Sequence, residues 1–331
     1  MKKIACVGYH GTGAGVIDDL LREFDNIAQG EYECESRFLH DADGISDLEY
    51  NLVENPHRLN SGYAIRRFQK YSKINNRQLS KVFGRKWSEL SKEYVKNITA
   101  FEYDGHKGWE TTMYGSFDHF MAFIKKAFNK IKPHKFKNPA WYDYYPGHKT
   151  IHAILKEQEF LLYTRNFVDK LCESVKHKNN DEYVVIDQMF PGKNIERYLR
   201  YVNNVKVIIV DRDPRDLYIR QRSLPDHVLP NDPYQFCQYY RDIRPTKEYV
   251  APMNVLYVSF EDMIYNYDIM VNKVLDFLGI DKKHHTLPRT HFNPEVSVNG
   301  TKTWLKYPQY TEDIKIIEKE LPEFLYQYSD K

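Results

Sequence analysis

The sequence predicts an α/β fold in which helices cover both faces of a parallel β-sheet, giving three layers. Short apolar runs that suit buried parallel strands occur at 4–7, 183–187, 205–210 and 255–260. Segments with helical periodicity follow them, and strands that alternate with helices form parallel sheets. We therefore expect a single domain over residues 1–331, with a large helical insertion at about 45–180.

Composition and charge exclude several classes of protein. The chain has a net charge of +2, which gives no reason to expect a protein that coats nucleic acid. No apolar run reaches the ~18 residues of a membrane span, and the apolar stretch at the N-terminus is too short for a signal peptide. We therefore expect a cytoplasmic protein. The four cysteines form no C-x-x-C pair, so neither a zinc site nor a disulfide framework is predicted.

Residues 1–24 (MKKIACVGYHGTGAGVIDDLLREF) predict a strand, a glycine-rich loop and a helix. Glycines let the backbone approach an anion, and the free N–H groups at the start of a helix favour negative charge. The loop lacks the lysine of G-x-x-x-x-G-K-[ST] and the third glycine of G-x-G-x-x-G. It therefore predicts a phosphate or sulfate site without indicating which nucleotide. The alternative is a plain strand-to-helix turn.

The chain from about 45 to 180 is charged and rich in lysine and aromatic residues. Its periodicity predicts helices at 63–71, 87–101, 117–131 and 151–175. We interpret this segment as an insertion between the second and third strands of the sheet, where a lid over an acceptor substrate can vary without disturbing the core. The second strand is predicted at 32–40, with polar side chains at its exit.

A second candidate anion site follows the apolar run at 205–210. Arg212 comes just after this run, at the carboxyl edge of the sheet where crevice ligands bind. The helix predicted to begin at Pro214 carries Arg220 and Ser223 on one face. A guanidinium and a hydroxyl group that converge there would hold a phosphate. The alternative is a structural ion pair between Arg212 and a neighbouring aspartate: Asp211, Asp213 or Asp216.

With these two sites, the chain resembles the sulfotransferases that use 3′-phosphoadenosine 5′-phosphosulfate (PAPS). In that family a modified phosphate loop binds the 5′-phosphosulfate, and an Arg-x-Pro-x-[Asp/Glu] segment binds the 3′-phosphate. Residues 8–15 and 212–216 match these two motifs. Further matches are YVSFED at 257–262, FLGI at 277–280 and NGTKTW at 299–304, and the resemblance covers about 1–45 and 180–321.

The resemblance implies which residues bind PAPS and its product, adenosine 3′,5′-bisphosphate. These are Gly8, His10, Gly11, Thr12, Gly13, Ala14, Gly15, Arg212, Arg220, Ser223, Asn299 and Lys302. The chain departs from the family at two positions. Gly11 stands where many members have a loop lysine, so the loop amides with Thr12, or His10, or a lysine from elsewhere must serve. Arg220 stands where the family usually has serine, with Ser223 one turn on.

Sulfuryl transfer needs donors on the leaving oxygens and a base for the attacking hydroxyl. Asp187 is our first candidate for the base, because its strand ends at the same sheet edge and burial would raise its pKa. Glu35 and His40 are the alternatives. We expect no metal and no nucleic-acid partner. The acceptor is expected to be a small molecule or a glycan, with a saccharide favoured by the large polar, aromatic insertion, and the oligomeric state is left open.

Two other functions compete with this interpretation. The first is a P-loop-type nucleotide kinase, against which the missing Lys-[Ser/Thr] and the lack of an obvious Mg²⁺-binding aspartate pair argue. The second is a protein that binds a nucleotide without catalysis, which the missing loop lysine leaves open. Binding of ATP with Mg²⁺ would indicate the kinase, and binding without sulfate transfer would indicate the second.

Overall fold

The computed structural model describes residues 1–31, 34–106, 114–131, 140–222, 228–246 and 249–328. The strands in this part of the chain are β1 (Lys2–Gly8), β2 (Ile27–Gln29), β3 (Phe101–Asp104), β4 (Lys149–His152), β5 (Tyr183–Asp187), β6 (Val205–Asp211) and β7 (Val255–Ser259). The α-helices are α1 (Gly15–Leu21), α2 (Ile45–Glu49), α3 (Asn60–Ile74), α4 (Asn76–Phe83), α5 (Lys86–Ile98), α6 (Ser116–Ile131), α7 (Glu157–Glu173), α8 (Ile195–Leu199), α9 (Pro214–Arg222), α10 (Pro233–Asp242), α11 (Phe260–Tyr265), α12 (Tyr267–Leu278), α13 (Pro294–Ser297) and α14 (Thr311–Glu320).

The main sheet is parallel and has five strands in the order β2–β5–β1–β6–β7. In the central strand β1, Lys3 pairs with Val184 on one side and with Val205 on the other. The apolar runs of β1, β5 and β6 suit this position, because a central parallel strand is covered on both faces. All five strands end at one edge, so the residues that follow β1, β5 and β6 lie close together there.

The alternation of side chains along β1 divides the core into two layers. Ala5 and Val7 point into a cluster that includes residues of α3, α5 and α7. Ile4 and Cys6 point into a second cluster, which includes residues of α1, α11 and α12. The predicted fold class, a parallel sheet flanked by helices, is therefore confirmed.

Between β2 and β5, the described chain forms α2 to α7 and an antiparallel pair of β3 and β4. The helices predicted at 63–71, 87–101 and 117–131 correspond to α3, α5 and α6. Trp87 is fully buried at the centre of this region, where its ring lies within 6.3 Å of Phe38, Phe83 and Phe167. Its indole nitrogen donates to the Ser72 carbonyl, so the buried polar atom is satisfied.

Two local predictions are wrong. Of the predicted strand at 32–40, residues 32–33 lie outside the described residues, and residues 34–40 form no strand, since Arg37–Leu39 is a short 3₁₀ helix. The strand that pairs with β5 at this edge is β2, earlier in the chain. Phe38 and Leu39 are consecutive and both buried in one core cluster, which the alternating pattern of a strand does not allow. The helix predicted at 151–175 begins only at Glu157, because residues 149–152 pair with β3.

The C-terminal helices hold α9 in place beside the edge of the sheet. Leu217 of α9, Phe236 of α10 and Ile317 of α14 belong to one buried cluster. The start of α9 is capped as expected, because the carboxylate of Asp213 accepts from the backbone N–H of Arg215 at 2.8 Å. Across the described ranges, no helix is both long enough and apolar enough to cross a membrane.

Candidate functional site

The glycine-rich loop (residues 8–15) has a backbone that requires glycine at two positions. Gly11 and Gly13 have φ angles of +80° and +94°. A Cβ atom on Gly13 would lie 2.6 Å from Cδ2 of Phe260, and one on Gly11 would lie 3.1 Å from Nε2 of Gln221. The loop is therefore packed against α9 and the start of α11, and a side chain at Gly13 would push it out of place.

Thr12 fixes the shape of this loop. Its buried hydroxyl accepts a hydrogen bond from the N–H of Tyr9 at 2.9 Å and donates one to the carbonyl of Val210 at 2.7 Å. The N–H of Gly8 donates to Oε1 of Gln188 at 3.3 Å. The hydroxyl of Thr12 is thus engaged inside the protein, and only its backbone N–H is available to a ligand.

The backbone N–H groups of residues 10–15 have no acceptor among the described residues. Backbone donors in folded proteins are normally paired, so a run of them without acceptors is unusual. Successive N–H groups in a turn form a concave surface that binds anions. Here they border a cavity of about 730 Å³, which lies within the size range of small-molecule sites.

The cavity collects residues from three strand ends: the loop after β1, the end of β5, and α9 after β6. The predicted site residues that line it are Gly8, His10, Gly11, Thr12, Gly13, Ala14, Gly15, Glu35, His40, Asp187 and Arg220. Arg212, Asn299 and Lys302 do not line it. Ser223 lies outside the described residues.

Asp187 is the last residue of β5, and its carboxyl group lies in the wall of the cavity. Its Oδ1 atom is buried and has no partner among the described residues. Burial, together with the nearby carboxyl groups of Asp18 and Glu35, raises the pKa of Asp187 to about 8. A carboxylate with such a pKa accepts a proton readily, as a general base must.

Burial lowers the pKa of both histidines on the cavity, His10 and His40, which favours their neutral forms. Nε2 of His40 lies 3.1 Å from the carbonyl oxygen of Gln188. Since a carbonyl only accepts, Nε2 carries the proton and Nδ1 is the basic atom. Glu35 is much more exposed and lies 3.4 Å from Arg37. Of the two alternatives to Asp187, His40 is the more enclosed.

Arg212 is only 4% exposed and lies away from the cavity. Its guanidinium stacks on Phe260, with Cζ 4.4 Å from the ring centroid, and donates a hydrogen bond to the carbonyl of Gly300. Because Phe260 also packs against Gly13, its ring lies between the glycine-rich loop and Arg212. The Nε of Arg212 is buried without a partner in the described part of the chain.

The aspartates next to Arg212 in sequence have other partners. Asp211 pairs with Arg244 at 2.7 Å, and Asp213 pairs with Arg215 at 2.7 Å. The guanidinium of Arg212 forms no ion pair with either of them among the described contacts. Of the local ion pairs that the sequence allowed, those with Asp211 and Asp213 are therefore not among the described contacts. Asp216 does act on Arg212: burial lowers the pKa of Arg212, and the nearby charge of Asp216 opposes this shift.

Asp216 holds the C-terminal segment of residues 299–304 against α9. Its carboxylate accepts from the N–H of Lys302 at 3.0 Å and from the N–H and hydroxyl of Thr303 at 2.6 Å. The ammonium group of Lys302 lies over the ring of Tyr328, and Asn299 is exposed, with its amide donating to Val296. This segment folds over α9 rather than into the cavity.

Sequence reasoning missed three residues of the site. Gln188 joins the loop to His40, since its side chain accepts from Gly8 and its carbonyl from His40. Gln188 directly follows β5, and this position could have identified it from the sequence as a residue of the site. Asp18 brings a buried negative charge near Asp187, and an acidic residue early in α1 gave little hint of that. Phe260 gave none, because an apolar residue after a strand is usually a core residue.

A family described as the sulfotransferase family matches residues 108–284. The matched range contains β5, β6, β7 and the Arg212 segment, whereas the glycine-rich loop precedes it. No curated protein sequence matches the chain.

Three solved structures are similar at 12% sequence identity. The sulfotransferase domain of the Synechococcus PCC 7002 olefin synthase has a TM-score of 0.39, with 99% of this chain and 89% of that chain covered. The sulfotransferase domain of the curacin biosynthetic pathway has a TM-score of 0.37, with 96% of each chain covered. Retinol dehydratase in complex with androsterone and the inactive cofactor PAP has a TM-score of 0.35, with 99% of this chain and 83% of that chain covered. Because the family match spans more than half of the chain, this protein belongs to the sulfotransferase family.

Proposed function

We propose that this protein transfers the sulfuryl group of PAPS to a hydroxyl group of an acceptor. One observation carries the proposal: backbone donors of the glycine-rich loop and the buried Oδ1 atom of Asp187 border the same cavity, and neither has a partner among the described residues. Donors for a transferred anionic group and a base for a hydroxyl are the two requirements of in-line sulfuryl transfer.

The donor nucleotide would lie with its 5′-phosphosulfate on the N–H groups of residues 10–15. Arg220, which lines the same cavity from α9, is our candidate for contact with the 3′-phosphate. Arg212 would act indirectly, because its contacts with Phe260 and Gly300 would hold these two residues against the loop. This assignment differs from the one that the family motif implies, in which Arg212 itself binds the phosphate.

Asp187 would remove the proton from the acceptor hydroxyl as the acceptor oxygen bonds to sulfur. The bond between sulfur and the bridging oxygen breaks in the same step, and adenosine 3′,5′-bisphosphate leaves. Asp187 must be ionised to act, so the rate should rise as the pH approaches its pKa of about 8. If His40 is the base instead, its Nδ1 takes the proton, and the rate rises at lower pH because burial lowers its pKa.

Negative charge on the leaving oxygen needs a partner, since the loop has no lysine. The backbone N–H groups of the loop can stabilise part of this negative charge, whereas the hydroxyl of Thr12 already donates to the carbonyl of Val210. Lys193 also lines the cavity, and its ammonium group donates to the carbonyl of Asp242. We propose Lys193 or His10 as the group that takes the place of the loop lysine.

The acceptor is proposed to be a saccharide. Beyond the loop, the lining of the cavity includes the charged side chains of Glu35, Arg37 and Asp41 and the ring of Tyr198. Polar groups of both signs beside an aromatic ring suit a polyhydroxylated ligand better than an apolar one. The described residues hold no cluster of His, Cys, Asp or Glu arranged for a metal ion.

The test has two stages. Calorimetric titration should give tight binding of adenosine 3′,5′-bisphosphate without metal, and weaker binding of ATP with Mg²⁺ and of NAD. Mass spectrometry of an acceptor panel incubated with PAPS should then show sulfated saccharides. A preference for ATP with Mg²⁺ would contradict the proposal, and bisphosphate binding with no transfer to any acceptor would indicate a non-catalytic nucleotide-binding protein.

A further inference from the structure

One face of helix α6 is apolar and exposed. Phe117, Phe120, Phe123 and Phe128 are 74%, 59%, 70% and 67% exposed. At helical spacing, Phe117, Phe120 and Phe128 fall on one stripe, with Phe123 at its border. Single exposed apolar residues are common, but four phenylalanines on one helix form a patch of the kind that marks an interaction surface.

The other face of α6 is already occupied. Ala122 is buried, and Nδ1 of His119 lies 2.9 Å from the hydroxyl of Tyr145. The side-chain amide of Asn129 donates to the hydroxyl of Tyr144 at 3.2 Å. These contacts attach α6 to the segment around residues 141–145. The helix is therefore oriented by its polar face, and the phenylalanines are left on the outside.

The charged side chains of α6 are mostly basic. Its sequence, SFDHFMAFIKKAFNKI, contains three lysines and a single acidic residue, Asp118, in the first turn. Lys125, Lys126 and Lys130 come from the half of the helix that holds Phe128. An apolar stripe of aromatic residues flanked by lysines is the pattern of a helix that lies in the interface of a membrane.

We propose that α6 binds the surface of an anionic lipid bilayer. The phenylalanines would enter the boundary between headgroups and acyl chains, and the lysines would contact lipid phosphates. The three lysines on this helix favour a negatively charged occupant over a second copy of the chain, which carries the same net positive charge on its own α6. The face is convex, so it does not suit a small ligand. This inference does not depend on the proposed transferase activity.

Flotation of the full chain with phosphatidylglycerol vesicles and with phosphatidylcholine vesicles tests the proposal. We expect binding to the anionic vesicles and at least about tenfold weaker binding to the neutral ones, with high salt reducing the first. Replacing Phe117, Phe120 and Phe128 with Gln should reduce vesicle binding by at least about tenfold, since binding scales with buried apolar area. Gln is a good helix former, and these side chains are exposed, so the fold should persist.

Ile269→Gln is the matched control, because this residue is 69% exposed on another helix, α12. It should leave vesicle binding unchanged. A second variant keeps the phenylalanines and replaces Lys125 and Lys130 with Gln, which should weaken binding to anionic vesicles about fivefold for each lysine. Equal binding to both kinds of vesicle, no binding, or unchanged binding in the triple variant would overturn the proposal. So would a dimer in sedimentation that the triple variant abolishes, since the face would then be a self-association surface.

Discussion

Two neighbouring strands, β1 and β6, end at the same edge of the sheet, but the segments that follow them are built differently. After β1, the N–H groups of residues 10–15 find no acceptor in the described part of the chain, and they lie beside an open cavity. After β6, Arg212, Asp213 and Asp216 are buried, and the acidic groups of residues 211–216 contact basic or N–H groups, some of them in distant parts of the chain. The comparison teaches that one strand end leaves backbone donors open to the cavity, whereas the other uses its charged groups in contacts within the protein.

We call the loop after β1 the open end and the segment after β6 the closed end. The closed end is held by charged groups that would destabilise the protein if they lost their partners. Arg244 is 2% exposed, and it contacts Asp211 while its guanidinium lies over the rings of Tyr9 and Tyr240. Asp216 binds the N–H groups of a segment more than eighty residues later in the chain. Buried charges of this kind persist only when they are paired and hydrogen-bonded.

The largest expected effect is at the open end. Asp187→Asn should lower turnover by ~10²–10⁴-fold, because it removes the proposed base. The affinity for adenosine 3′,5′-bisphosphate should change little. Initial rates with PAPS and a saccharide acceptor, with the dissociation constant from calorimetry, measure both. The matched variant Glu35→Gln, on the same cavity but more exposed, should reduce turnover far less. An unchanged rate in Asp187→Asn would remove it as the base and favour His40.

The pH dependence of stability tests the same residue without any substrate. The pKa of Asp187 is about 8 in the folded protein and 3.8 ordinarily, so between these pH values the folded state holds the extra proton. Stability should therefore fall as the pH rises from about 4 to about 8. Asp187→Asn should remove this loss and raise the melting temperature relative to wild type at pH 8 but not at pH 4. The same dependence of melting temperature on pH in both proteins would contradict the raised pKa of the buried Asp187 carboxyl.

At the closed end, Arg244→Ala should destabilise the protein by ~3–5 kcal/mol, because it leaves the carboxylate of Asp211 without its buried partner. Urea unfolding at constant slope measures this. Arg241→Ala is the control, since its contact with Glu323 is exposed and is expected to contribute ~1 kcal/mol or less. Similar losses in the two variants would mean that the closed end is no more than a solvated charge cluster.

Variants of Arg220 and Arg212 distinguish a residue that binds the ligand from one that supports the structure. Arg220→Ala should weaken binding of adenosine 3′,5′-bisphosphate by ~1.5–3 kcal/mol, the cost of a lost charged hydrogen bond. Arg212→Ala should mainly lower stability, because Arg212 holds Phe260 and Gly300. Calorimetry and urea unfolding of both variants give the comparison. If Arg212→Ala loses affinity and keeps its stability, Arg212 reaches the ligand and the family motif describes the site better than the cavity does.

The smallest expected effect concerns the shape of the loop. Thr12→Val should cost ~1–2 kcal/mol of stability, since the N–H of Tyr9 loses its acceptor and the carbonyl of Val210 loses its donor. Affinity for the bisphosphate should fall with it, because the loop is no longer held in its binding shape. Thr12→Ser keeps the hydroxyl and should restore most of both. Equal behaviour of the two variants would contradict the role of the hydroxyl.

The strands and loops that leave a pattern in adjacent residues could be predicted from the sequence. The apolar runs that became β1, β5 and β6 are buried on both faces, so their composition alone identifies them. The glycine positions followed from the need for positive φ at Gly11 and Gly13. The strand β2 has only three residues, and its position was missed because so short a segment leaves no pattern in the sequence.

The sequence by itself determined the layered α/β fold, the glycine-rich loop and the acidic strand end at Asp187, because burial and backbone geometry impose these on neighbouring residues. Only the tertiary structure decided which arginine borders the cavity. Arg212 and Arg220 are equally plausible along the chain, but Phe260 and Gly300, which arrive from later segments, cover the first and leave the second on the cavity. Such contacts join residues far apart in sequence, so no local pattern carries them.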